Sequence, residues 1–189
     1  MRQGNELAAA TRGHRVVEGE NRFETLFRTY VPYVRRVVPR MGVASGDTDD
    51  VVQEVFLVVH GALGGFEGRS SERTWIYGIC LRVCSNYRRR AYRRRELTMA
   101  EPPAAEDFVH PERMLSARTD LQLLDAALAD LNDAQRATFV LHEIEQLPMA
   151  DIATILGCSK FTAYARLYAA RRHVVAALTA AQRAGDRHA

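Results

Sequence analysis

The stretch MADIATILGCSKFTAYARL, residues 149–167, carries two helical stripes separated by one turn. Ile152, Ala153 and Leu156 repeat at the spacing of one helix face, and Ala163 and Leu167 resume it after Gly157, Cys158 and Ser159. Each position has a physical reason. A small residue at Ala153 lets two helices cross closely, Gly157 tolerates the left-handed backbone conformation that ends a helix, and Ser159 caps the next one. The pattern predicts a helix-turn-helix whose second helix runs from Lys160 to about Ala181 and buries Ala163, Leu167, Ala170 and Val174. A wheel of about 3.6 residues per turn puts Phe161, Ala165, Tyr168 and Arg172 opposite that core, flanked by Lys160 and Tyr164. On spacing alone an αα-hairpin with no ligand fits as well. The outward face is also poor in the Arg, Gln and Asn side chains that read base edges.

Working outward, helical spacing recurs throughout. Upstream, Leu121, Leu124, Leu128 and Leu131 mark one helix, and Asn132 or Asp133 caps another that buries Ala137, Val140, Leu141 and Ile144. Nearer the start, Phe23, Leu26, Phe27, Tyr30, Val34, Val37, Val38 and Met41 form a stripe that Pro32 and Pro39 are expected to bend or shorten. A second helix begins near Asp47–Asp50, where acids suit the positive helix end, and buries Val51, Val52, Val55, Phe56, Val59 and Leu63. Four glycines and two serines between Gly61 and Arg73 predict a loop. A third helix then carries Ile76, Ile79, Cys80, Val83 and Tyr87 on one side. No alternation of period two stands out, so the fold class expected is all-α, two small helical domains joined by a flexible linker.

The expected boundaries are a disordered tail over 1–19, a first domain over 20–96, an acidic linker over 97–118, a second domain over 119–183 and a tail over 184–189. Pro102, Pro103 and Pro111 among acids and alanines define the linker. Fully extended, its 22 or so residues reach roughly 70 Å, about two turns of duplex DNA.

The chain has 189 residues, 47% of them hydrophobic, and a formal net charge of +3. That modest total conceals a sharp asymmetry. Between Arg82 and Arg95 stand seven arginines and no acid, whereas Glu96 to Glu112 holds five acids and no Lys or Arg. Arginines interleaved with Tyr87 and Tyr92 suit nucleic acid: the cations neutralise phosphates, and Trp75, Tyr77 and Tyr92 can stack on unpaired bases. Three cysteines, Cys80, Cys84 and Cys158, form no disulfide framework and suit a reducing compartment. Cys80 and Cys84, four apart on one helix, read as small core residues because no third and fourth ligand lies near in sequence. His142-Glu143-Ile144-Glu145-Gln146 lacks the second histidine of a zinc-protease motif. No nucleophile–base pair or phosphate loop appears, nor an apolar run that would span a membrane. The expectation is a cytoplasmic, non-catalytic protein without catalytic residues, metal or cofactor.

Two further motifs carry a family resemblance. Asp49-Asp50-Val51-Val52-Gln53-Glu54-Val55-Phe56, then Thr74-Trp75-Ile76-Tyr77 and a basic helix, resembles region 2 of bacterial sigma factors. Leu131-Asn132-Asp133-Ala134-Gln135-Arg136-Ala137 and the helix-turn-helix after it resemble region 4. With these two regions alone, the chain resembles the extracytoplasmic-function (ECF) subfamily of the sigma-70 family over about residues 20–180. The resemblance implies a promoter-specificity subunit whose partners are core RNA polymerase, promoter DNA and an anti-sigma protein.

It also implies roles. Asp49, Asp50, Gln53 and Glu54 would dock on core polymerase. Phe66, Arg69, Ser70, Arg73, Trp75 and Tyr77 would hold the melted −10 element, with Arg82, Asn86, Arg89 and Arg90 along its upstream edge. Ser159, Lys160, Phe161, Thr162, Tyr164, Ala165, Arg166, Tyr168 and Arg171 would face the −35 element. The sequence departs from the family pattern at Gly78, Arg82, Phe161, Tyr164 and Ala165. The residues themselves leave two other classes open: an autonomous helix-turn-helix regulator of duplex DNA, and a sigma-like adaptor that binds polymerase without reading DNA.

Overall fold

The computed structural model describes the backbone of residues 3–98 and 120–185 and the side chains of 21–94 and 122–183. Every regular element among the described residues is helical. In chain order these are α1 (Gln3–Arg40), α2 (Thr48–Ala62), α3 (Glu72–Thr98), α4 (Asp120–Ala129), α5 (Asp133–Phe139), α6 (Met149–Ile155) and α7 (Lys160–Gly185). Short 3-10 turns precede and follow α2, at Ser45–Asp47 and Leu63–Gly65. A π-helical segment, Val140–Ile144, continues α5.

Helices α1, α2 and α3 pack on one another through the stripes expected of them. Val34, Val37 and Val38 of α1 meet Val55 and Val59 of α2 and Ile76, Cys80 and Cys84 of α3 in a core closed to solvent. In the second half, α7 packs on α4, α5 and α6 through Ala163, Leu167, Ala170 and Val174. Helix α6 also lies on α3, so one continuous buried cluster spans both halves. No described helix is long and apolar enough to cross a membrane.

Two expectations differ from what is observed. Neither Pro32 nor Pro39 ends α1, which continues to Arg40. Pro32 removes the donor for a single carbonyl, a loss that burial of Val34, Val37, Val38 and Met41 outweighs. Helix α1 also begins at Gln3, inside the stretch expected to be a tail; Glu6-Leu7-Ala8-Ala9-Ala10 are strong helix formers with no proline among them. Helix α3 includes the arginine-rich stretch, which was expected to be helical, and runs to Thr98, two residues past the expected boundary at 96. The bulk of the expected linker, residues 99–118, and the last four residues lie outside the described part.

Candidate nucleic-acid interface

The loop before α3 is built from its own side chains. The Ser71 hydroxyl caps α3 by accepting from the Thr74 amide at 3.1 Å. Phe66 lies against Trp75 with ring centroids 4.7 Å apart, and the Arg22 guanidinium covers Phe66 at 5.5 Å. Arg69 is exposed and donates to Glu67 at 2.7 Å, while half-buried Ser70 donates to the Ser71 carbonyl at 3.4 Å.

Further along α3, Arg82, Asn86, Arg89 and Arg93 follow helical spacing on one exposed face. Arg82 folds back to donate to the Gly78 carbonyl at 3.2 Å, and Arg89 donates to Asn86 at 2.8 Å. Arg90 pairs with Glu54 on α2 at 2.9 Å, and Tyr92 stands exposed nearby. This is an array of guanidinium groups and an aromatic ring, in which Arg90 and Arg93 share a hollow with Asp47, Asp50 and Glu54.

Tyr77 corrects the sequence expectation. It is 1% exposed and stacks on nothing in solution, because its side of α3 faces the second half of the chain. Its hydroxyl donates to the Glu145 carboxylate, and burial together with that carboxylate pushes its pKa above the usual tyrosine range. Arg73 donates to the Glu145 backbone carbonyl and approaches its carboxylate to 3.7 Å. Arg36 on α1 completes the group, donating to both carboxylate oxygens at 2.7 and 2.8 Å. Trp75 is half-buried. Sequence reasoning had no way to know which face of α3 would meet another helix.

On α2, Asp49, Asp50 and Gln53 are exposed, whereas Glu54 is half-buried. Asp49 pairs with Arg35 of α1 at 2.8 Å. Beside them runs a mainly apolar groove formed by Phe23, Phe27 and Val31 of α1 and Phe56 and Leu57 of α2.

The helix-turn-helix has the geometry its spacing predicts. Gly157 sits at φ +59°, and the Ser159 hydroxyl accepts from the Thr162 amide at 3.1 Å. Ile152, Ala153, Ala163 and Leu167 are buried. The outward face presents Phe161 (84% exposed), Tyr168 (72%) and Tyr164, with Lys160 and Ala165 also exposed. Thr162 and Arg166 are half-buried. Arg171 is tied to Glu143 by a 2.7 Å hydrogen bond. Arg166 lines a groove of about 360 Å³ together with Arg82, Ser85 and Arg89 of α3.

Three residues escaped sequence reasoning: Glu145, Arg36 and Arg136. Glu145 did leave a signal, since Ala137, Leu141 and Glu145 are four apart, placing a carboxylate on an apolar stripe. Arg136 likewise sits beside Ala137 at the start of that stripe. Arg36 left none. Among the described residues no group of three or more His, Cys, Asp or Glu is placed to hold a metal.

Comparison with known families bears on both halves. The family described as Sigma-70 region 2 matches residues 26–94, and Sigma-70 region 4 matches residues 121–174. The chain is 30% identical over 170 residues to the ECF RNA polymerase sigma-E factor of Escherichia coli K12, covering 85% of this chain and 88% of that one. Its fold is similar to the sigma factor RpoE of Bartonella quintana, crystallised with the anti-sigma factor NepR (TM-score 0.67, 23% identity, 83% of this chain and 96% of that one). It is also similar to CnrH, solved with the cytosolic domain of CnrY (TM-score 0.62, 24% identity, 85% and 90%). Two sigma regions in order and a relative matched along most of both chains lead to one conclusion: the chain belongs to the ECF RNA polymerase sigma factors of the sigma-70 family.

Proposed function

We propose that this sigma factor works in the cytoplasm, has no catalytic activity of its own, and binds core RNA polymerase through the Asp49, Asp50, Gln53 and Glu54 face of α2. Region 2 (residues 20–96) would then hold the melted −10 strand with Phe66, Arg69, Ser70, Arg73 and Trp75. Arg82, Asn86, Arg89 and Arg90 would follow the upstream phosphates. Region 4 (119–183) would approach the −35 element with α7. The observation that carries this reading is the exposed Arg82, Asn86, Arg89 and Arg93 row on α3. Guanidinium groups at helical spacing track a phosphate backbone, and each contact adds about 0.9 to the salt slope of binding. Unstacking DNA costs a few kcal/mol per step, so aromatic rings near that row have a defined task.

The anti-sigma factor NepR accompanies one structural relative, and an anti-sigma protein is the further partner of this reading, covering the apolar groove beside Gln53. The test is run-off transcription with purified core polymerase on promoters mapped after overexpression. A promoter-dependent transcript is the expected result; none, together with tight binding to duplex DNA in the absence of polymerase, would point to an autonomous regulator. A second reading has its own observation. The exposed Phe161, Tyr164 and Tyr168 resemble a protein-docking face more than a base-reading one, which favours an adaptor that holds polymerase without reading the −35 element.

A further inference from the structure

A groove of about 360 Å³ runs between α3 and helices α5, α6 and α7. That volume suits a small ligand. Arg82, Arg88 and Arg89 line it from α3 and Arg166 from α7, and Asp133 is the acid among its lining residues. Arg88 and Asp133 pair at 2.7 Å and offset one another. The other three cations have no such partner. Arg82 commits its Nε to the Gly78 carbonyl at 3.2 Å, and Arg89 commits one terminal nitrogen to Asn86 at 2.8 Å. Arg166 is half-buried, and among the described residues it has neither a hydrogen bond nor an ion pair.

Like charges gathered in one groove repel, and more strongly beside apolar walls than in open water. Three guanidinium groups held this way call for counter-ions, and one multivalent anion replaces several monovalent ones. Phosphate oxygens suit them, because the planar guanidinium donates in pairs.

The remaining wall has a different character. Leu81, Ile155 and Leu156 make it apolar, and Ser85 adds a hydroxyl. A flat heteroaromatic ring fits against such a surface while a phosphate chain reaches the arginines. Gly78 keeps the groove open. It lies inside α3, where glycine is among the poorest helix formers, yet a Cβ there would meet no atom within 4 Å. Its missing side chain therefore relieves no clash; it leaves space in the groove.

We propose that this groove binds a nucleoside polyphosphate, with the phosphates on Arg82, Arg89 and Arg166 and the base against Leu81, Ile155 and Leu156. Both regions of the chain supply the site. It rests on the groove itself and not on the promoter contacts proposed for two of its arginines, since Arg166, Gly78 and Leu156 lie outside that row.

The test uses the full chain without polymerase, in about 0.15 M salt so that loose ion pairing is screened. Fluorescence anisotropy follows labelled ATP and labelled GTP. At least one is expected to bind saturably, and inorganic triphosphate is expected to displace it less effectively than the unlabelled nucleotide does. Arg166→Met should weaken binding about tenfold, the loss of a charge-assisted hydrogen bond. Gly78→Leu keeps every charge and fills the groove, and it should weaken binding at least as much. Circular dichroism and thermal unfolding check that both variants fold. Arg172→Met removes the same charge from an exposed position on α7 outside the groove, and it should leave affinity unchanged. Binding of neither nucleotide overturns the proposal. Unchanged affinity in Arg166→Met and Gly78→Leu also overturns it, because the anion then sits on the exposed row of α3 alone. An equal loss in Arg172→Met reduces the effect to net charge and overturns the site. Displacement by triphosphate as effective as by nucleotide overturns the nucleoside assignment.

Discussion

Region 2 and region 4 are both small helical packs, but they bury different chemistry. The core of region 2 is apolar: valines from α1 and α2 meet Ile76, Cys80, Val83 and Cys84, and among the described residues Thr74 is its buried polar group besides Tyr77. Region 4 buries two full charges, Arg136 and Glu145. The three short helices of region 4 go with the difference. Helices α1, α2 and α3 have 38, 15 and 27 residues, whereas region 4 sets three short helices, α4, α5 and α6 with 10, 7 and 7, against one long one, α7 with 26. A short helix has proportionally more unpaired carbonyls at its end and less apolar surface to bury. Arg136 answers the first need by donating to the carbonyls of Leu128, Ala129 and Leu131, at 2.8, 2.8 and 3.0 Å. Glu145 answers the second by joining region 4 to a larger partner.

The largest effect that would break this contrast comes from Arg136. Arg136→Met keeps an apolar stem but takes this donor from the Ala129 and Leu131 carbonyls and leaves the Leu128 carbonyl with only the Leu131 amide at 3.2 Å. A buried acceptor left unpaired costs about 1–3 kcal/mol; with water reaching part of the site, a total loss of about 3 kcal/mol is expected in urea unfolding. The side chain also touches region 2, since Arg136 and Arg88 both donate to the Met41 carbonyl. A Cβ on Gly42, at φ +81°, would collide with its guanidinium. A loss below about 1 kcal/mol would mean that the charge is incidental and that apolar packing holds region 4 as it holds region 2.

The apolar half of this picture is legible in the sequence. Val51, Val55, Phe56 and Val59, and equally Ala163, Leu167 and Ala170, were expected to be buried from spacing and are buried. Asn132 caps α5, accepting from the Gln135 amide at 3.0 Å, for reasons local to four residues. Periodicity fails where the determinant is a partner far along the chain. Arg36 and Glu145 are 109 residues apart, and Tyr77 and Glu145 are 68 apart. A stripe says that a helix has a buried face, not what covers it. Tyr77 was therefore read as free for stacking, and Glu145 only as part of a failed zinc motif.

A smaller effect sharpens the region 2 side. The Cys80 thiol is fully buried, and both its hydrogen bond with Cys84 and its burial push its pKa well above the ordinary value. The folded chain therefore keeps this proton when the unfolded chain loses it at about pH 8.5. The stabilisation is complete below that pH and falls as pH rises toward the folded value. Between pH 8.5 and 9.5 the loss is about 1 kcal/mol for one such group. Urea midpoints across that range should decline, and Cys80→Ala should remove about that much of the slope. An equal slope in the variant would assign the pH dependence to other groups.

The smallest expected change in stability is at Phe161, and its value lies in what else it separates. The ring is 84% exposed and begins α7 on the side opposite Ala163 and Leu167, so Phe161→Ser removes no core packing. Thermal unfolding should move by less than about 0.5 kcal/mol, as for surface changes generally. If α7 reads the −35 element by apolar contact with thymine methyl groups, the variant should lose promoter-dependent transcription while retaining polymerase binding. Replacing thymine by uracil at the contacted positions should then reproduce the defect in the wild-type chain and add little to it in the variant. If the aromatic face instead docks a protein, transcription from a purified core enzyme is unaffected by Phe161→Ser, and uracil makes no difference. The first outcome would give region 4 a reading mode based on shape and methyl contact, against the guanidinium–phosphate contacts proposed for α3. The second would leave promoter choice to region 2, and the exposed rings of α7 would belong to the same class of feature as the buried charges of region 4: groups placed to join it to another protein surface.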